Sequence, residues 1–176
     1  RDVIESAIEG EASVSIFHLA AMVSGECEER YDDAIRVNLD GGRNVFDAAC
    51  AIAGQPRVVF ASSIACFGGA SMPTPVSDLA KRTPQTTYGM TKVTGEVMAL
   101  NYWKQYGVDA RGIRYPGLVS WKSPAGGGTT DYAVEIFHSA LSEGHYECFV
   151  APETQLPMMY IDDAIRATLE LMDASV

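Results

Sequence analysis

Tyr88-Gly89-Met90-Thr91-Lys92 is the stretch from which the rest of the 176-residue chain can be read. Tyr88 and Lys92 stand four apart, so on a helix they share a face with their side chains in reach of each other. A phenol beside a fixed ammonium is a tunable acid/base. Its ordinary pKa is about 10, and each unit of lowering takes about 1.4 kcal/mol of interaction favouring the phenolate. Alone the spacing is a weak signal, so its surroundings decide. The pattern predicts a helix over 86–106, with Gly95, Met98, Ala99 and Tyr102 continuing the inward face. Trp103 and Tyr106 close that helix against a core or a subunit, and Gly107 ends it.

The segments on either side read as strands. Residues 57–67, RVVFASSIACF, are rich in β-branched and aromatic residues and carry Ser62-Ser63 towards their carboxyl end. Two serines finishing a buried strand need a partner in each other, the backbone or a ligand. Residues 108–119, VDARGIRYPGLV, form a further strand. In it Arg114 requires a carboxylate or carbonyl if buried, and Tyr115-Pro116-Gly117 makes a rigid turn. Gly68-Gly69 with Pro73, Pro75 and Pro84 form a long loop between strand and helix, a length that usually has a job.

Upstream, a helix is expected over 2–9 and a short apolar strand over 13–21, ending in the small residues Ala20 and Ala21. His18 within it reads as a structural histidine. Residues 22–29 read as a loop with Ser24 just past the strand's carboxyl end, where open α/β sheets bind ligands. A helix over 31–53 contains Asn38 and Gly41, both poor helix formers. Asn38 either faces solvent or turns inward and finds a partner. Gly54 and Pro56 end this helix.

Downstream, PAGGG at 124–128 precedes Thr129-Thr130-Asp131 and a helix whose stripe is Ala133, Ile136, Phe137, Ala140 and Leu141, capped by Gly144. Glycines before a helix start free backbone N–H groups for an anion, here a small carboxylate; the alternative is ordinary capping by the threonines with Asp131 as a first-turn charge. A short strand over 146–150, an apolar stretch over 156–160 and a helix over 162–172 with Ile165, Leu169 and Met172 inward follow. Asp162-Asp163 read as cap and dipole partners of that helix, not as a metal pair.

Composition narrows the function. At 47% apolar and 20% charged, the chain can bury a core and reads as one domain over 1–176, with parts of a substrate lobe from about 120 onward. A net charge of -10 argues against nucleic acid or an anionic membrane as partner. Cys27, Cys50, Cys66 and Cys148 form no CxxC, and His18, His138 and His145 form no metal pattern, so no metal is expected and a reducing, cytoplasmic setting fits. The start at Arg1, within a helix pattern, reads as the interior of a longer protein.

FHLAA at 17–21, NLDG at 38–41, FASSIACFG at 60–68, TPQTTYGMTKVTGE at 83–96 and IRYPGL at 113–118 together resemble the extended short-chain dehydrogenase/reductase superfamily, of the NAD-dependent epimerase/dehydratase type. The resemblance implies a Rossmann-like α/β fold, a doubly wound parallel sheet, here without the first βαβ unit and its glycine-rich loop. It implies NAD as cofactor, Tyr88 as general acid/base, Lys92 lowering its pKa and holding the nicotinamide ribose, and Ser63, or less well Ser62, holding the reacting oxygen. Cofactor contacts would fall on Leu19, Ala20, Ala21, Ala61, Ser62, Tyr115, Pro116 and Gly117, with Asn38 supporting the site. GGGTTDYA and LPMMY are similar to the short-chain-type L-threonine 3-dehydrogenases, which puts Ser24, Thr129 and Asp131 on the amino acid and L-threonine as substrate. The first hundred residues also resemble sugar-acid dehydrogenases of the erythronate type. Nucleotide-sugar epimerase and NAD-binding regulator are the remaining alternatives. Relatives of this kind pair their two long helices into a homodimer.

Overall fold

A computed structural model describes residues 2–10, 14–52, 56–68, 75–122, 124 and 126–175. Ser13 at the first strand's start, Ala53 and Gly54 at a helix end, Gly69 and Pro73 of the long loop, and Ser123 and Ala125 lie outside them. The elements are α1 (Asp2–Ile8), β1 (Ser15–His18), α2 (Ser24–Glu29) and α3 (Tyr31–Ala34). The last continues through a π-helical segment (Ile35–Asp40) into α4 (Gly41–Cys50). Next come β2 (Arg57–Ser63), a 3-10 turn (Ile64–Cys66), α5 (Thr87–Tyr106), β3 (Asp109–Tyr115), β4 (Gly117–Val119), α6 (Tyr132–Ser142), β5 (Met158–Tyr160) and α7 (Ile161–Asp173).

Strands β1, β2 and β3 pair in that order and all in parallel, which requires a crossover between each pair. One crossover is the α3–α4 helix, the other α5. Parallel pairing brings the carboxyl ends of all three strands to one edge of the sheet, with Ser63 opposite Tyr115. This is the α/β Rossmann-like arrangement expected. Val58, Phe60, Phe46, Val45, Ala49, Ala99 and Val108 form the core between sheet and helices.

Helix α5 is held at both ends by its own sequence. The Thr86 hydroxyl accepts from the Gly89 N–H at 3.0 Å, an N-cap, and Gly107 takes the left-handed conformation (φ 72°) that ends a helix. Helix α7 has no basic residue in its last turn. Instead Arg57 donates to the Met172 carbonyl (2.8 Å) and Arg111 to the Leu171 carbonyl (2.5 Å), so the strands cap the helix and pull it against the sheet.

Several expectations need correction. Residues 22–29 are not a loop: α2 fills most of them, because Cys27 is fully buried and turns the acid-rich segment into a one-sided helix. The second strand stops at Ser63, not 67, since the Ser63 hydroxyl accepts from the Ala65 N–H (3.2 Å) and starts the 3-10 turn. The third strand is two strands. Pro116 has no N–H to give a ladder, and beyond it Gly117–Val119 pair with Met158–Tyr160 in a separate parallel ribbon. Residues 146–150 form no strand; Tyr146 instead donates its hydroxyl to Glu135 of α6 at 2.8 Å. The α6 stripe does not face a core, for Ile136, Phe137 and Leu141 are exposed while Val134 is buried. Ile165 and Leu169 of α7 are half exposed, whereas Met172 is buried as expected. Trp103 and Tyr106 are exposed, which removes the core reading of them and not the subunit one; Tyr106 rests on Tyr102 at 5.3 Å between rings.

Gly95 is where α5 crosses β2. A Cβ there would lie 2.4 Å from the Phe60 ring, and Phe60 is only 4% exposed and cannot swing away. Alanine's helix propensity favours Gly95→Ala by about 1 kcal/mol. Overpacking costs about 1–3 kcal/mol or more and outweighs it. Urea unfolding should therefore show Gly95→Ala destabilised by up to about 2 kcal/mol.

Candidate functional site

The carboxyl ends of β1, β2 and β3 open into a cavity of about 660 Å³. Leu19 and Ala21 follow β1, Ser24 begins α2, and Ala61, Ser62 and Ser63 end β2. Tyr88 and Lys92 come from α5, Tyr115, Pro116 and Gly117 from the β3–β4 junction, and Thr129 and Asp131 precede α6; all of them line this one space. Of the residues expected there, Ala20 and Asn38 do not. Ala20 is exposed beyond the strand end, on the other side of the alternation from Ala21.

Asn38 is buried behind the wall, and its inward reading is the right one. Its Oδ1 accepts from the Met22 N–H (2.8 Å) while its amide donates to the Met22 carbonyl (3.2 Å) and the Thr91 hydroxyl (3.1 Å). Thr91 in turn donates to the Tyr88 carbonyl at 2.8 Å. The π-helical widening at 35–40 turns the amide out of its own helix ladder and towards α5. Asn38 thus supports the turn after β1 and the first turn of α5.

Lys92 is 4% exposed, and its Nζ donates to the Ala61 carbonyl at 2.8 Å. It lies 5.3 Å from the centre of the Tyr88 ring and equally far from Phe60. Burial brings the ammonium from 10.5 down to about 8. The same burial pushes the Tyr88 phenol above its ordinary 10, against the pull of a hydrogen bond with the Ser63 side chain. The expected lowering of the phenol by Lys92 is therefore not what the protein alone produces: desolvation dominates, and the Lys92 bond is made to Ala61. His18 is a structural histidine, buried with its ring 6.0 Å from Phe60 and held low by burial.

The glycine-rich segment also differs from its reading. The Gly127 and Gly128 N–H groups both donate to Asp131 Oδ2 at 2.6 Å, so the anion they meet is the chain's own carboxylate. Gly117 is glycine for packing: a Cβ would lie 2.4 Å from Met158 Sδ.

Sequence reasoning missed much of the far wall. Thr130, Leu156, and Ile161, Ala164, Ile165, Thr168 and Leu169 of α7 face the cavity. The α7 spacing was visible, but the same stripe serves core and cavity alike. Thr168 shares a hydrogen bond with the Tyr115 hydroxyl and donates to the Ala164 carbonyl at 2.6 Å, tying β3 to α7. Two carboxylates were also missed. Glu28 accepts from the Thr87 N–H (2.7 Å) at the start of α5. Glu96 accepts from Arg114 (2.8 Å twice), Arg82 (2.7 Å) and Ser62 (2.5 Å), and is the partner Arg114 required. Among the described residues no group of His, Cys, Asp and Glu could hold a metal ion, and no helix is long and apolar enough to cross a membrane.

The family model for the NAD dependent epimerase/dehydratase family matches residues 1–176. The chain is 46% identical over 159 residues to the mitochondrial L-threonine 3-dehydrogenase of Bos taurus, covering 90% of this chain and 42% of that one. It is 41% identical over 160 residues to an uncharacterized epimerase/dehydratase of Staphylococcus aureus (strain USA300), covering 91% of this chain and 49% of that one. Its structure superposes on a monomeric L-threonine 3-dehydrogenase of metagenomic origin, in apo form, with TM-score 0.91 and 44% identity over 99% of this chain and 56% of that one. The chain spans about half the length, or less, of the relatives it matches.

Glu96 makes the site's surroundings acid-sensitive. Burial works to raise its carboxyl, but hydrogen bonds from Arg114, Ser62 and Arg82 overrule it and hold the group at about 2. The folded value lies below the ordinary 4.5, so its stabilisation is complete above about pH 4.5 and drains away as pH falls towards 2. Unfolding followed by circular dichroism across that window should show a loss of stability that is flatter in Glu96→Gln.

Proposed function

This chain belongs to the NAD dependent epimerase/dehydratase family, and from that premise we propose that the protein is an L-threonine 3-dehydrogenase, oxidising the β-hydroxyl of L-threonine to give 2-amino-3-oxobutyrate with NAD as acceptor. The observation that carries the reading is the meeting of Ser63, Tyr88 and Lys92 in one cavity with Ser24, Thr129 and Asp131 on its wall. The likeness to threonine dehydrogenases over nine-tenths of the chain supports the substrate.

The residues present fit the cofactor. Lys92 has three ammonium protons and gives one to Ala61, and small side chains at Ala21 and Ala61 leave backbone open at the strand ends. Leu19, Ala21, Ala61 and the Tyr115-Pro116-Gly117 turn would hold it. When bound, NAD supplies the acceptor for the hydride that leaves the substrate's Cβ. Tyr88, as phenolate, takes the proton of the β-hydroxyl, and Ser63 holds the same oxygen so that it cannot rotate away. Lys92 favours the phenolate in its ammonium form. Ser24 and Thr129 offer hydroxyls to the amino acid's carboxylate. Asp131 gives the same wall a negative charge matched to its α-ammonium.

A homodimer and a cytoplasmic setting complete the reading. Pairing through α5 would cover the exposed Val97, Leu100 and Trp103. A reducing compartment keeps the exposed Cys50 and Cys148 as thiols. Sedimentation of the full-length protein at two concentrations should give the mass of a dimer; a monomer at both removes the pairing.

Full-length protein with NAD and L-threonine should produce NADH, with a rate that rises with pH as the phenol loses its proton. Tyr88→Phe should lower kcat by about 10²–10⁴-fold and abolish that rise. Turnover of D-erythronate without turnover of L-threonine overturns the substrate assignment and keeps the chemistry.

A further inference from the structure

We propose that Glu96 is a positioning residue for the reacting serine: its carboxylate clamps Ser62 and so fixes where Ser63, the next residue, presents its hydroxyl to Tyr88. The inference rests on the reading that Ser63 holds the substrate oxygen. Glu96 continues the face of α5 that carries Tyr88 and Lys92, one turn further on. Its side chain is 12% exposed. Oε1 accepts from Ser62 Oγ (2.5 Å) and Arg114 Nε (2.8 Å), and Oε2 accepts from Arg114 Nη2 (2.8 Å) and Arg82 Nη1 (2.7 Å). Cys66 Sγ adds a longer contact to Oε1 (3.4 Å), so both oxygens are fully served by donors.

The placing of these donors matters more than their number. Ser62 belongs to the end of β2, Arg114 to the residue before Tyr115 on β3, and Arg82 to the loop leading into α5. One carboxylate therefore joins the helix that holds the acid/base to both strand ends that face it. Ser62 is 2% exposed and spends its hydroxyl on this contact, leaving Ser63 to turn to the cavity. Glu96 itself lines not that cavity but a separate groove of about 710 Å³ on the far side of Ser62, with Arg114, Asp78 and Trp103. It acts through Ser62 and touches no substrate.

The groups facing Tyr88 are Lys92 on its own helix, Cys27 of α2 and Cys66 of the 3-10 turn, with Glu28 of α2 accepting from the Tyr88 N–H. His18 of β1 faces Lys92. Around Glu96 stand Arg82, Arg114, Cys66 and, through its carbonyl on Arg114, Asp78. Ser62→Ala changes none of these charges and releases β2 from the clamp, together with the 3.3 Å contact of Ser62 Oγ with Cys66 Sγ, which makes it the discriminating variant.

In the full-length protein, Ser62→Ala should lower kcat for L-threonine by about tenfold to a hundredfold. KM for both substrates should stay within about twofold, because the loss falls on the oriented reacting oxygen and not on binding. The Tyr88 phenol, followed by NMR with ζ-13C-tyrosine and assigned by its absence in Tyr88→Phe, should titrate at higher pH, since the Ser63 bond that restrains it is loosened. Glu96→Gln should repeat the loss of kcat with KM retained; if it fails to fold, Ser62→Ala decides alone. Wild-type kcat and an unmoved phenol in folded Ser62→Ala overturn the proposal, even where thermal stability drops. A wild type that does not oxidise L-threonine overturns the substrate reading instead, and the phenol titration, which needs no substrate, still decides the role of the clamp.

Discussion

Helix α5 can lie where it does only because two of its residues lack a side chain. At Gly95 the helix meets the Phe60 ring, and at Gly89 a Cβ would stand 2.3 Å from the Ala65 carbonyl. Those two approaches set the separation between α5 and the end of β2. From that separation follow the Lys92 bond to the Ala61 carbonyl, the Ser62 bond to Glu96, and the contact of Tyr88 with Ser63. With ordinary side chains at 89 and 95 the helix would stand off from the strand, and none of these polar contacts would reach.

Close approach also commits polar groups to burial, and each has been matched. Asn38 uses both its acceptor and its donor on the chain after β1 and on α5. Glu96 answers two guanidiniums, a hydroxyl and a thiol. Among the described residues no buried side-chain nitrogen or oxygen lacks a partner. Leaving one such group unpaired costs about 1–3 kcal/mol, more for a charge. The wall behind the cavity is therefore held by satisfied polar bonds from several elements, and is stiffer than apolar contact alone would make it.

Much of this was open to sequence reading, for a reason particular to parallel sheets. When strands run the same way, residues at their carboxyl ends gather on one edge, so Ser63, Tyr115 and the residues after His18 could be placed together without coordinates. The four-residue spacing did the same for Tyr88 and Lys92. Other parts had no such rule. Arg114 announced its need for a carboxylate, but 23 acidic residues could have met it, and nothing local points to Glu96. Six acid-rich residues gave α2 no periodicity to read. The glycines at 127 and 128 pointed correctly to an anion, but the sequence does not say that Asp131, three or four residues on, folds back to supply it.

The protonation of the central pair is the part furthest from the sequence. Burial moves both groups towards their neutral forms, the phenol upward and the ammonium to about 8. For Lys92 that shift corresponds to about 3 kcal/mol of desolvation. The alternative arrangement, phenolate with ammonium, has the same net charge of zero. Attraction between the two charges favours that arrangement and desolvation opposes it. In the protein alone burial governs both groups, with the Lys92 ammonium held on the Ala61 carbonyl. On the proposed function, a substrate hydroxyl bonded to the phenolate oxygen would add to the Ser63 bond that already favours it. On that reading the base would form most readily once the group it is to deprotonate is in place.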